Sequence, residues 1–270
     1  MWSPVRMMPC ALIVAALVLG SAHAAAAAYG AREILDARRH LYDTTYAWSD
    51  QHQVMRVTMV DARARQQERT IELYERRYAE GGRKVLLVFL APDNLKGTAM
   101  LSQERGLGSP ERWLYLPRQK RARRFAGQMS DEGLMGTDLT AGELDLMRDM
   151  LQWTVADVRA TLRGSERIQG VEAYALEVAS AKPYHRIVFW IGAADLVMRQ
   201  LELYGEDAVI VKRIRQSDIK FVGTVPVPAR VEVEDPRGGT KSTFDVIDIQ
   251  VNGGFSEDVF SLPLLATPDR

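Results

Sequence analysis

Residues 71–90 decide the fold class: Ile71-Glu72-Leu73-Tyr74 leads through Gly81-Gly82 into Val85-Leu86-Leu87-Val88-Phe89-Leu90. Ile71 and Leu73 alternate with Glu72 and Tyr74, the period of a strand whose successive side chains leave on opposite faces. The glycine pair marks a hairpin turn between two such strands. Upstream the same period appears, with Met55, Val57 and Met59 alternating with Arg56, Thr58 and Val60. Before that, Ile34, Leu35, Arg38 and Leu41 fall on one face at three- and four-residue spacing, which predicts a helix over 31–41. Downstream, the turn-rich loop Ala91–Gly97 separates the hairpin from strands near 98–103 and 113–116, the second stopped by Pro117. Further strands are expected near 155–166, 173–180, 186–191, 198–204, 209–221, 229–234 and 242–251. Roughly twelve short strands at this spacing predict a mainly β chain, an antiparallel sandwich or barrel. No repeat, linker or low-complexity tract divides it, so residues 25–270 are expected to form one domain.

The first residues predict export. Arg6 is the only charge before Arg32, Ala11–Leu19 is apolar, and Ala22-His23-Ala24 offers small residues around a cleavage point. That order is a cleavable signal peptide over 1–24; its apolar part is far shorter than the roughly 20 residues a membrane span needs. Cys10 precedes the apolar stretch, where a lipid-attachment cysteine would follow it, so no lipoprotein is expected. Cys10 is also the only cysteine, which leaves the mature part without disulfide or thiolate. With 35 basic and 35 acidic residues the total charge gives no support to nucleic-acid binding.

Catalytic motifs are missing. His40, His52 and His185 have no metal-ligand spacing, and Gly127-Gln128-Met129-Ser130 sets its serine one place late for a nucleophile elbow. Gly106-Leu107-Gly108 runs into Ser109-Pro110 before a dinucleotide loop can form. The expectation is a non-enzyme with no cofactor and no metal. Two features stand out instead. Residues 127–151 combine Gly127, Gly133 and Gly136 with Met129, Met135, Met147 and Met150, and end in a helix over 141–150 that Thr140 and Glu143 cap. Flexible methionines beside glycines suit either a mobile apolar lid or a connecting loop with a core-packing helix. Arg118, Lys120, Arg121, Arg123 and Arg124 form a basic run, suited to anionic headgroups or an acidic partner, or to a charged edge strand that resists aggregation.

The block Pro92-Asp93-Asn94-Leu95-Lys96-Gly97-Thr98-Ala99-Met100-Leu101 is followed by a second, from Trp113-Leu114-Tyr115-Leu116-Pro117 through the basic run to Met135-Gly136-Thr137-Asp138-Leu139-Thr140. In order and spacing the two blocks resemble the outer-membrane lipoprotein-sorting family, the LolA-like periplasmic carriers. The resemblance implies an unclosed, strongly curved antiparallel β-barrel with helices plugging its concave face. It further implies a periplasmic chaperone that holds acyl chains of a lipid or lipoprotein in an apolar hollow and delivers them to a membrane partner. That partner would be an RND- or MMPL-type exporter of the inner membrane or an outer-membrane acceptor, in outer-membrane biogenesis. The alternative is an RseB-like periplasmic lipid-sensing module. Burying a methylene is worth about 0.8 kcal/mol, so a 16-carbon chain gains on the order of 12 kcal/mol from a hollow alone, without reactive groups. The alternating pattern nominates Met55, Val57, Met59, Ile71, Leu73, Phe89, Met100, Trp113, Tyr115, Phe189 and Leu201 as cavity wall. Ile34, Leu35, Leu134, Met135, Leu139, Leu144 and Met147 are expected to plug it.

Overall fold

The hairpin over 71–90 forms as its pattern requires. Tyr78 N–H donates to Gly82 O at 2.9 Å and Gly81 N–H to Tyr78 O at 3.0 Å. Gly81 sits at φ +82°, a conformation that costs glycine little and a Cβ-bearing residue much. The computed structural model describes residues 30–79, 81–104, 110–125, 133, 136–153, 156–179 and 184–261. The segment 1–24, where an export signal is expected, lies outside the described residues, as do Leu134 and Met135.

Helix α1 (Ala31–Asp43) precedes six strands: β1 (Asp50–Val60), β2 (Gln66–Arg77), β3 (Arg83–Ala91), β4 (Ala99–Glu104), β5 (Glu111–Leu116) and β6 (Arg121–Phe125). Helix α2 (Ala141–Asp149) leads to β7 (Ala160–Ile168), β8 (Val171–Ala179), β9 (Arg186–Gly192) and β10 (Met198–Tyr204). Strands β11 (Ile210–Val222), β12 (Val225–Asp235) and β13 (Thr240–Val251) follow. Among the described residues all thirteen strands join one antiparallel sheet, in the order β6-β5-β4-β3-β2-β1-β13-β12-β11-β10-β9-β8-β7. Each half of the chain is a meander, and β1 pairing with β13 welds the halves together. Strands β6 and β7 remain as edges, so the sheet is an unclosed barrel, neither a sandwich nor a closed one. The strand that sequence periodicity did not predict is β6, within the basic run: three of its five residues are arginines, which hides the alternation.

Strand register decides which residues share the inner face. Met59 pairs with Ser242, Ser242 with Val233, Val233 with Ile214, Ile214 with Leu201, Leu201 with Phe189 and Phe189 with Leu176. Directly opposed residues point the same way, so this row crosses the sheet on one face. Over its β8–β12 part lies α1, whose Ile34 and Leu35 are 2% and 1% exposed. They pack against Leu176, Phe189, Leu201, Leu203 and Ile214 as a solid core. The opposite face of β3–β5 carries a smaller cluster of Leu86, Leu101, Tyr115 and Phe260, with Trp113 beside it. The short 3-10 turn Glu257–Phe260 covers that cluster.

Candidate functional site

Over β1–β4 the inner face is not filled. A cavity of about 270 Å³ lies between these strands and α2. Its wall follows the period of two along each strand. Met55 and Val57 come from β1, Ile71 and Leu73 from β2, Val85, Leu87 and Phe89 from β3, and Met100 from β4. Phe244 and Val231 continue the wall onto β13 and β12, while Leu139, Leu144 and Met147 close it from the α2 side. Leu144 is 39% exposed, an apolar side chain left at the opening.

The helix over the cavity is held at both ends. At its start, Thr140 N–H donates to Glu143 Oε2 at 2.8 Å and Glu143 N–H to Thr140 Oγ1 at 3.1 Å, the capping box its sequence predicts. Glu143 is 1% exposed, and Tyr184 O–H donates to its other oxygen at 2.9 Å. Just before the helix, Asp138 accepts from Ser242 Oγ at 2.6 Å and from Thr240 Oγ1, and its carbonyl accepts from Lys212 Nζ at 2.6 Å. These bonds pin α2 to β11 and β13. Replacing Thr140 by alanine should cost about 1 kcal/mol, read as a lower urea midpoint.

Toward its other end, α2 is tied across the cavity rim by ion pairs. Arg112 of β5 meets Asp145 at 2.7 Å, and Arg148 meets Glu104 of β4 at 3.0 Å and Asp145 at 3.3 Å. Burial pushes the Glu104 carboxyl above its usual pKa, against the pull of Arg148. The same end of the cavity holds Glu75, which faces Arg83 and accepts from Gln51 Nε2 at 2.7 Å. Arg38 on α1 is 2% exposed; its Nη1 donates to Met150 O at 2.6 Å and its Nε to Leu196 O at 3.2 Å. It joins α1, the turn before β10 and the residue after α2, and burial lowers its pKa.

Of the wall residues expected from sequence, Met55, Val57, Ile71, Leu73, Phe89 and Met100 line this cavity. Met59 belongs to the same apolar cluster but does not line it. Phe189 and Leu201 share the inner face, yet α1 buries them completely, so they are core. Trp113 and Tyr115 are on the wrong side: Trp113 pairs with Leu101 while Leu114 pairs with Met100, and only the Met100 row faces inward. Ile34 and Leu35 cover the filled half and do not plug the hollow. Leu139, Leu144 and Met147 do reach it from above. Arg118, Lys120, Arg121, Arg123 and Arg124 are exposed on and beside edge strand β6. Arg123 pairs with Leu114 across the strands, so Arg123 and Arg121 fall on the Met100 side of the sheet, and the Arg124 side chain forms an ion pair with Glu111. Sequence reading missed Val85, Leu87 and the charged rim, although counting by twos from Phe89 and from Leu73 reaches Leu87 and Glu75.

The histidines do not converge. His52 Nε2 lies 2.8 Å from Glu72 and its ring stacks on Tyr74, while His40 and His185 are exposed. Among the described residues no group of His, Cys, Asp and Glu could hold a metal ion, and no helix is long and apolar enough to cross a membrane.

A family model described as "Uncharacterized protein" matches residues 81–267, more than half of the chain. The chain belongs to that family. No curated protein matches it. Among solved structures it is similar to an outer membrane lipoprotein-sorting protein domain from Vibrio parahaemolyticus, at 20% identity and a TM-score of 0.73, over 86% of this chain and 97% of that one. It is similar to a DUF1329 family protein from Desulfovibrio piger, at 22% identity and 0.74, over 86% and 98%. A LolA superfamily protein from Nitrosomonas europaea aligns at 15% identity and 0.60, over 88% and 100%. The fold is therefore LolA-like, the fold of lipoprotein-sorting proteins, as the two sequence blocks implied.

Proposed function

We propose that this protein is a periplasmic carrier that holds the acyl chain of a lipid or lipoprotein in the cavity under α2 and hands it to a membrane partner. The observation that carries the reading is a wall of methionine, leucine, isoleucine and phenylalanine left unfilled beside a fully packed core. A hollow lined this way gains about 0.8 kcal/mol for each methylene it removes from water. Membership in a fold shared with lipoprotein-sorting proteins supports the same direction. Residues 1–24 serve as the cleaved export signal and 25–270 as the single carrying domain.

In this reading Met55, Val57, Ile71, Leu73, Phe89 and Met100 hold the chain, and Leu139, Leu144 and Met147 form the door. The Arg112–Asp145 and Arg148–Glu104 pairs keep the door shut when the hollow is empty. The side chains of these pairs are 13–31% exposed, and the desolvation of their charges offsets much of their attraction, so a chain entering the hollow can outweigh them. The exposed cations at 118, 120, 121, 123 and 124 would meet anionic headgroups or the acidic surface of an exporter or outer-membrane acceptor. The purified protein should take up a fluorescent fatty acid near one to one, and unlabelled palmitate should compete it out. No saturable uptake would remove this reading.

A further inference from the structure

We propose that the cavity selects a single-chain anionic amphiphile, with the ligand's carboxylate or phosphate seated on Arg69. The inference rests on the acyl-chain reading above and adds a head group to it. The lining carries four arginines and three carboxylates. Arg83 faces Glu75, Arg112 faces Asp145, and Arg148 meets both Glu104 and Asp145. The fourth, Arg69, is left over: among the described residues it has no hydrogen-bond acceptor and no carboxylate partner.

Arg69 is not a solvated surface cation. It is half-buried on β2, with its guanidinium 5.8 Å from the ring centroid of Phe89 in the cavity wall. Burial there pushes its pKa down, because desolvation disfavours the charged form. An anion would relieve that cost, and the planar fork of N–H donors matches a carboxylate or phosphate through two bonds. The neighbouring chain approaches the guanidinium closely and adds no side chain there. Gly136 lies at φ +83°, and a Cβ there would come within 3.3 Å of Arg69 Nη2.

Position sets the ligand's direction. Arg69, Ile71, Leu73 and Glu75 follow one another on one face of β2, so Arg69 and the ion-paired rim lie at opposite ends, roughly 20 Å apart at strand spacing. A head group on Arg69 directs its tail along Ile71 and Leu73 toward Leu87 and Met100. The cavity of about 270 Å³ falls just below the roughly 300–1,000 Å³ of ligand sites, which favours one chain over two.

The test is displacement of a fluorescent fatty acid at pH 8 by palmitate, by methyl palmitate and by palmitoyl lysophosphatidic acid. Wild-type protein should bind at least one of the two anions about tenfold or more tighter than the ester. Arg69→Gln should erase that gap while leaving the ester's affinity unchanged, and Arg69→Lys should restore part of it. The better of the two anions identifies the head group as carboxylate or phosphate. Equal affinity of both anions and the ester for wild type overturns the head-group assignment but leaves the acyl-chain reading standing. Failure of all three to displace the probe overturns both. The wild-type comparison decides even if neither variant folds.

Discussion

Leu87→Trp is expected to weaken fatty-acid binding about a hundredfold while leaving the fold intact. Leu87 sits mid-floor, paired with Leu73 on one side and Met100 on the other, and its side chain lines the hollow. An indole there occupies space that about four methylenes would otherwise fill. At about 0.8 kcal/mol each, their exclusion costs roughly 3 kcal/mol, about two powers of ten in affinity. The enlargement goes into empty volume and forces no neighbour aside, so it avoids the usual penalty for overpacking. Probe titration together with far-UV circular dichroism reads both halves of the expectation. Unchanged binding would mean that the chain does not lie on this floor.

Phe189→Ala should do the opposite. Phe189 is 0% exposed beneath α1 and meets Trp153 edge-on at 6.2 Å between ring centroids. Removing a buried aromatic ring costs about 3–5 kcal/mol, because the surrounding core cannot collapse into the space. In a chain of this size that is a fall of roughly 10 °C in Tm. The protein that remains folded should bind the probe as wild type does, since Phe189 lies in the packed core and does not line the hollow. A loss of binding with little loss of stability would place Phe189 in the site after all. Together the two variants separate the filled half of the inner face from the open half.

How much of this was legible in the sequence depended on the element. The Ile71–Leu90 hairpin, the amphipathic helix at Ile34 and the Thr140–Glu143 capping box each carry their own local signal, and each forms where expected. Strand β6 carries none, because Arg121, Arg123 and Arg124 conceal the alternation that pairing with β5 reveals. The faces were harder. Period two says that Met100 and Leu101 point oppositely, but not that Trp113 follows Leu101, since that depends on register across the β4–β5 loop. Nor does an inward side chain announce whether something covers it. Phe189 and Phe89 look alike in sequence and share a face, and only the placement of α1 over β8–β12 makes one core and the other wall. The charged rim was hidden for the same reason: Glu104, Arg112, Asp145 and Arg148 come from three elements that only the folded chain brings together.

A crystal structure of the protein soaked with palmitate brominated near its methyl end tests the account most directly. Anomalous scattering should place the bromine inside the β1–β4 hollow, among Met55, Leu87, Met100 and Leu144. Bromine found only on the outer face of the sheet, or a soaked crystal whose hollow holds no chain, would contradict it.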